Sequence, residues 1–497
     1  MFFGVYYAQR AIIFGENVGG SVQMNHPLRT LAGTVFLICV LMGCASEETA
    51  ISNDVEAAPN TETEPEPEIP APAIQEEPAD DANFLFDDDT IRTYELVVEP
   101  EDMEFLNNDP VAEVYVPATL KFEGQEYESV GLRYKGSAGS FINCTQGFTF
   151  PPSGPKTCIK LSMKVKINYG DSDLKFHGLK KLQFHSMNSD ESLMKERLAY
   201  YLFRSMGIPA PRTAPTRLVI NGELVGLFLL VEQIDGRFTR SRFEEGGKGN
   251  LYKEIWPIHT EDELYLNALK TNEDENPSVD KMQRLRTQLG NATQEELPSI
   301  SDAWMDRDYM ARYLAVDRTI QNDDGAMHWY CNVSLGQGGN TGECGNHNYY
   351  WYEEEKNDRM WLIPWDTDLA FREQGMTVLP IPWNEVPSSC EPVQMGMFGY
   401  QAAACDPLIY AWTTFTDEYS QAVRTLIDGP YSEENVTMLL EKWQAQIAST
   451  VEEAYAQDSE HLRPETWLSA INQFKGVVNR LRDRAETVAS SASTTSN

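Results

Sequence analysis

Positive charge is what this chain has little of. Its 497 residues hold 40 Lys and Arg against 76 Asp and Glu, for a formal net charge of −36. Residues 45–90 contain fifteen acids and no Lys or Arg, while residues 1–44 hold only Arg10, Arg29 and Glu16. Setting both segments aside leaves −22 on residues 91–497, so the body is acidic in its own right. Broad binding of nucleic-acid backbone needs a basic face, and no nucleic-acid partner is expected. A small basic pocket remains open. Catalytic signatures are missing too: there is no HExxH, no GxSxG, no GxGxxG after a strand and no DxDxDG loop. Metalloprotease, serine-hydrolase, dinucleotide-binding and EF-hand readings find no support. CxxC is absent and there are only 7 His, which disfavours a zinc site. Apolar residues make up 41% and aromatics 11%, which excludes wholesale disorder.

No apolar run reaches the roughly 20 residues of a membrane span. Leu31 to Met42 is shorter and follows a polar start, Met24 to Arg29, with one positive charge. That is the anatomy of a signal segment. Its end, Leu41-Met42-Gly43-Cys44, resembles the bacterial lipobox, which implies that Cys44 is acylated and anchors the protein to a membrane. Residues 1–44 are thus a leader with its start expected at Met24. Ala45, with no Asp in that position, favours an outer-membrane lipoprotein, facing the periplasm or the surface. Residues 45–90, with Glu-Pro repeats, read as a disordered acidic linker. Six further cysteines fall into neighbouring pairs: Cys144–Cys158, Cys331–Cys344 and Cys390–Cys405. In an oxidising compartment these read as disulfides, the neighbour pairing being preferred among the possible connectivities.

From Thr93 the pattern alternates. Tyr94 to Val98, Val114 to Val116, Leu120 to Phe122, Val130 to Tyr134 and Ile159 to Ile167 read as strands. Asp190 to Met206 reads as a helix capped by Ser189 or Asp190 and stopped by Gly207 and Pro209. Asn221-Gly222 between two apolar runs predicts a type I′ hairpin. Residues 260–320, 433–457 and 464–489 read as helices. The order is a strand-rich lobe followed by a mostly helical one.

Several segments, in order, carry a family likeness: Arg133-Tyr-Lys-Gly-Ser, Lys160-Leu-Ser-Met-Lys-Val-Lys-Ile, Met194-Lys-Glu-Arg-Leu-Ala-Tyr-Tyr-Leu-Phe-Arg, Gly207-Ile-Pro-Ala-Pro-Arg, Asn322-Asp-Asp-Gly, His347-Asn-Tyr-Tyr-Trp-Tyr and Ile363-Pro-Trp-Asp-Thr-Asp. Together they resemble the spore-coat protein H (CotH-like) family of atypical bacterial kinases, from about Arg133 to Phe371. The resemblance implies an α+β, two-lobed kinase-like fold. Residues 91–375 would form the kinase domain and 376–497 the helical back of its second lobe. It implies transfer of the γ-phosphate of ATP to protein Ser or Thr, with Mg²⁺ or Mn²⁺. Lys164 matches the phosphate-contacting Lys, with Lys160 as competitor, and Glu196 its ion-pair partner. Asp324 matches the catalytic Asp. Asp366 and Asn348 match the metal ligands, with Asp368 as second choice. Arg133, Lys135 and Gly136 open a small-residue loop that could cover phosphates, and Glu232 could face the nucleoside, as could Asp235. An insertion between Asp324 and Asn348 departs from the family and makes Asn332 a competitor of Asn348.

Each residue also has a plainer reading: a solvated strand face for Lys164, a surface helix charge for Glu196, a turn for Asp323 and Asp324. Two other functions stay open: a non-catalytic surface module on the same scaffold, and a nucleotidyl transferase. Asp171-Ser-Asp173 and the acidic 272–280 stretch could hold a structural Ca²⁺, though a solvated loop is favoured. The expected partners are ATP and a protein substrate, and a monomer is expected.

Overall fold

The computed structural model describes residues 82–492, apart from 137, 142–143, 147–151, 274–276, 334–339, 373–382 and 396–397. Cys44, the leader and residues 45–81 lie outside the described residues, as does part of the acidic 272–280 stretch.

The alternating segments build a closed barrel. Its strands are β1 (Arg92–Val97), β2 (Val116–Phe122), β3 (Gln125–Tyr134), β4 (Met163–Lys166), β5 (Lys181–His185), β6 (Thr213–Ile220) and β7 (Glu223–Val231). They run in the order β1-β2-β3-β4-β5-β7-β6, and β1 closes on β6 in parallel with Tyr94 opposite Leu218. Every second side chain points inward, so Tyr94, Leu132, Val165, Leu182 and Phe184 share one buried core. Leu161, Met163, Val165 and Ile167 are all buried, although only Met163–Lys166 is strand. At the β6–β7 turn Asn221 and Gly222 have φ of 52° and 85°, the left-handed pair that a type I′ turn requires. Asn221 also bridges to β1: its amide Nδ2 donates to the Val98 carbonyl and its Oδ1 accepts from the Val98 N–H, both at 2.8 Å.

Two boundaries differ from expectation. The linker ends before residue 90, because Ala82, Leu85 and Phe86 are buried in the barrel core. The helix expected from Asp190 starts at Lys195. The Asp190 carboxylate folds residues 190–194 into a turn around itself, accepting from the N–H groups of Ser192 (2.9 Å), Met194 (2.8 Å) and Lys195 (2.9 Å).

The helices that matter for the site are α1 (Lys195–Ser205), α2 (Arg307–Thr319), α3 (Thr416–Asp428), α4 (Glu433–Gln457) and α5 (Pro464–Ala492). The second half is less purely helical than its sequence suggests. It contains β8 (Asn250–Lys253), β9 (Trp329–Val333), β10 (Asn340–Gly345), β11 (Tyr349–Glu353), β12 (Met360–Pro364), β13 (Val393–Met395) and β14 (Phe398–Gln401). These form a sheet of order β12-β11-β8 and a second of order β10-β9-β14-β13. Leu198, Phe203, Tyr313, Trp351, Leu362 and Trp443 share the core that joins helices and sheet. The fold class is α+β. All three cysteine pairs are bonded as neighbours: Cys144–Cys158, Cys331–Cys344 and Cys390–Cys405.

Asn221 tests how the barrel closes. Asn221→Ala removes both bonds to Val98 and places a β-carbon residue without local hydrogen bonding in the left-handed region. Urea unfolding should show a loss of about 2 kcal/mol. Asn221→Gly, which keeps the turn but not the bridge, should lose less.

Candidate functional site

The loop after α2 is shaped by a buried carboxylate. Asp317, fully buried in the last turn, accepts from Arg318 Nε at 2.8 Å and from Asn322 Nδ2 at 2.8 Å. Arg318 also donates to the Asn322 carbonyl at 2.9 Å. A side chain at Gly325 would place Cβ 2.3 Å from the Asn322 amide, so the tight turn needs glycine. This turn holds Asp324 in place. Its Oδ1 accepts from the Tyr330 hydroxyl at 2.6 Å and lies 2.9 Å from His347 Nε2; its Oδ2 accepts from Asn348 Nδ2 at 2.8 Å. Burial alone would raise this carboxyl, but His347 and Tyr330 outweigh it and leave it below the ordinary value.

Strand pairing brings the second acidic group to the same place. Tyr349 at the start of β11 faces Pro364 at the end of β12, so Asn348 lies across from Trp365, whose N–H donates to the Asn348 carbonyl at 3.1 Å. Asn348 and Asp366 both take left-handed backbone, with φ of 62° and 53°. Such conformations cost energy in non-glycine residues and gather where function holds them. Because Asn348 Nδ2 donates to Asp324, and to its carbonyl at 2.8 Å, its Oδ1 is left as an acceptor. The Asp366 carboxylate accepts no hydrogen bond and joins no ion pair among the described residues. It nonetheless acts on its neighbours: Asp368 is raised well above the carboxylate range by burial and then by Asp366. Asp368 also accepts from Ser189 Oγ at 3.3 Å. Asp366, Asp368, which it shifts, and the Asn348 side chain oriented by Asp324 offer oxygen donors of the kind that Mg²⁺ or Mn²⁺ takes.

Cations gather on the barrel side. Lys164 on β4 stands across from Arg133 on β3 and Gln183 on β5. Its ammonium has no hydrogen-bond or ion-pair partner among the described residues. Burial, then Lys181, Lys135, Arg133 and Lys253, hold it well below the ordinary lysine value. Like charges this close suit an anionic ligand. Arg133 pairs with Glu113 at 2.7 Å, and the Gly136 N–H donates to the same carboxylate at 3.3 Å. Lys160 turns away: its ammonium donates to the Leu227 carbonyl at 2.7 Å and lies 5.3 Å from the Phe228 ring.

Glu196 does not pair with Lys164. Helix α1 buries it at 3% exposure, with its carboxylate 2.9 and 3.0 Å from Nδ1 of His185. The other ring nitrogen, Nε2, is 2.6 Å from the ammonium of Lys135. Burial, then Asp366, push Glu196 up to about 8. One donor atom from each of His185, Glu196 and Asp366 lies within 4.8 Å of the others. The reading of Glu232 as a nucleoside contact fails for a simple reason. It is buried between two guanidiniums, accepting from Arg212 at 2.7 Å and Arg242 at 2.6 Å, and no oxygen is left facing a ligand. Asp235 caps the helix Gly236–Arg242. Asn332 lies in β9 beside Cys331, and the Asn348 amide bonds to Asp324. Asp171 accepts from the Asp173 N–H at 2.9 Å in an exposed loop, an ordinary local turn.

Residues 132–488 match the family model described as CotH kinase protein. The chain belongs to this family. It is also 24% identical over 292 residues to the inner spore coat protein H of Bacillus subtilis (strain 168), covering 56% of this chain and 68% of that protein. Within this CotH-family chain, sequence reasoning missed His185, Tyr330, Lys181 and Lys253 as parts of the site. No spacing marks them. His347 stood inside a recognised segment without a role, and its pairing with Asp324 supplies one.

Beside Asp324, His328 is 1% exposed, neither ring nitrogen has a hydrogen-bond partner among the described residues, and burial holds it down to about 3. Its folded value lies below the unfolded value near 6.5. Its contribution is therefore fully present above about pH 6.5 and is lost as pH falls toward 3. Between pH 7.5 and pH 5 the protein should lose about 2 kcal/mol from this group. Denaturant unfolding at the two pH values should show that loss, and His328→Phe should shrink it.

Proposed function

We propose that this protein is a metal-dependent phosphotransferase that moves the γ-phosphate of ATP to a Ser or Thr hydroxyl of another protein. One observation carries the reading. The oxygen donors Asp366, Asp368 and Asn348 stand next to a precisely held Asp324, and the unpaired Lys164 sits among further cations. Family membership in the CotH kinases supports it. Asp366, Asp368 and Asn348 would hold Mg²⁺ or Mn²⁺, which when bound neutralises phosphate charge. Lys164 and Arg133 would contact the phosphates. Asp324 orients the acceptor hydroxyl. As its oxygen bonds to the γ-phosphorus, the bond to the β-bridging oxygen breaks, the hydroxyl proton passes to the Asp324 carboxylate, and ADP leaves. Tyr330 and His347, both on Oδ1, keep Oδ2 turned toward the acceptor.

The protein is further proposed to be exported and held at the outer membrane through acylated Cys44, with residues 45–81 as tether. The lipobox-like sequence and the three disulfides support this. Among the described residues no helix is long and apolar enough to cross a membrane.

Radiolabelled ATP with Mn²⁺ or Mg²⁺ tests the chemistry. The wild type should label itself or a protein acceptor, and Asp366→Ala and Asp324→Asn should lower incorporation by at least about 100-fold. Equal labelling by wild type and Asp366→Ala would sink the reading. Mass spectrometry should find an added phosphate; an added nucleotide would mean nucleotidyl transfer. Absence of any Mg-ATP thermal shift would favour a binding module instead. Tyr330→Phe, which keeps the ring but drops one bond to Asp324, should lower kcat about tenfold with little change in KM for ATP.

A further inference from the structure

The kinase pattern anticipates a lysine ammonium touching the helix glutamate. Here an imidazole stands between them. His185 is the last residue of β5, 5% exposed, and fixed by its backbone pairing with Leu229 on β7. Both of its ring nitrogens are occupied: Nε2 by the Lys135 ammonium at 2.6 Å, Nδ1 by the Glu196 carboxylate at 2.9 and 3.0 Å. The proton count depends on where the lysine proton rests. With Lys135 as an ammonium that donates and Glu196 as a carboxylate that accepts, Nε2 is bare and Nδ1 carries the hydrogen. The two alternatives are a neutral amine against an imidazolium, and a neutral amine, an Nε2–H ring and a Glu196 carboxylic acid. Both move the lysine proton to an ordinarily weaker base, since ordinary values are roughly 10.4 for Lys, 6.5 for His and 4.3 for Glu. The ring edge also meets Trp365 at 5.9 Å and 86°, and the Lys135 ammonium sits 5.4 Å from the centre of that same indole. Trp365 directly precedes Asp366.

We propose that His185 is a positioning residue: a neutral Nδ1–H imidazole that links Lys135 to Glu196 and directs the ammonium over Trp365 toward Asp366. A direct Lys–Glu contact would neutralise the ammonium at the glutamate. The imidazole keeps the two charges a ring apart, so Lys135 faces Asp366 and whatever phosphate lies there. His185 is then no metal ligand despite its closeness to Glu196 and Asp366, because a cation on either nitrogen would displace Lys135 or Glu196. The bridge stands on geometry alone; its effect on rate rests on the phosphotransfer reading.

Two measurements on the full-length protein separate these. Nitrogen-15 spectra of labelled histidine should show one ring, absent in His185→Gln, with a protonated Nδ1 and a bare Nε2 near pH 7.5. An Nε2–H ring, or an imidazolium, would overturn the proposal. In the kinetic arm, glutamine can accept from Lys135 through its carbonyl and donate to Glu196 through its amide, whereas leucine can do neither. His185→Gln should stay within about fivefold of wild-type kcat. His185→Leu should lose about 100-fold in kcat, with KM for ATP moving less than about threefold. A folded His185→Leu as active as wild type, or Gln and Leu equally impaired, would overturn the positioning role. If the spectra show the Nδ1–H ring and wild type transfers no phosphate, the phosphotransfer reading falls and the bridge stands.

Discussion

Two consecutive buried charges on α1 set the frame for everything around them. Glu196 and Arg197 are each 3% exposed and, about 100° apart around the helix, meet different partners. Glu196 meets His185 inside the site. Arg197 reaches out to Asp88 at 2.5 Å, to Gln446 at 2.9 Å on α4, and over the ring of Trp443 at 4.2 Å. A buried charge without its partner costs several kcal/mol. Any rotation or slide of α1 would strand one of the two. One turn on, the Tyr200 hydroxyl accepts from the Asp366 N–H at 2.9 Å, so the helix that fixes Glu196 also fixes the strained backbone at Asp366. Asp88, ahead of the first strand, thus bears on the geometry of the site.

Within an acidic body, the site is a local exception. Arg133, Lys135 and Lys181 from the barrel side and Lys253 from β8 crowd Lys164, and Asp366 and Glu196 crowd Asp368. Lys164 and Asp368 are each uncomfortable among like charges. On the phosphotransfer reading, phosphates relieve the first and a divalent cation the second, so the site is complementary to a charge pattern more than to a shape.

What the sequence made legible was local. Alternation located the barrel strands, Asn221-Gly222 the hairpin, and cysteine spacing the three bonds. These depend on neighbours a few residues apart. Partner choice among buried charges was not legible. Lys164, mid-strand, looked like the partner of Glu196; the lysine that reaches it, through His185, is Lys135. Glu232 looked available until Arg212 and Arg242 closed on it. Asp190 looked like a first helical residue, yet its carboxylate gathers the turn before the helix. Each outcome is decided by which polar groups share a low-dielectric space, and packing sets that only once distant segments have met. Strands β8 and β11 were hidden for a related reason: they are buried on both faces, so they carry little alternation.

The three disulfides join cysteines 14, 13 and 15 positions apart. Cys331 and Cys344 face each other across β9 and β10, one step from Tyr330, which holds Asp324. Closure entropy grows slowly with loop length, by about 0.6 kcal/mol per doubling, and mismatched pairs lie 46 to 261 positions apart, about two to four doublings beyond the native loops. The correct bonds are therefore the ones a freshly made chain encounters first. Each can form as its own loop collapses, in chain order, before the barrel has closed or α4 and α5 exist. The covalent scaffold of the site needs no sorting among fifteen alternatives, only an oxidant and time.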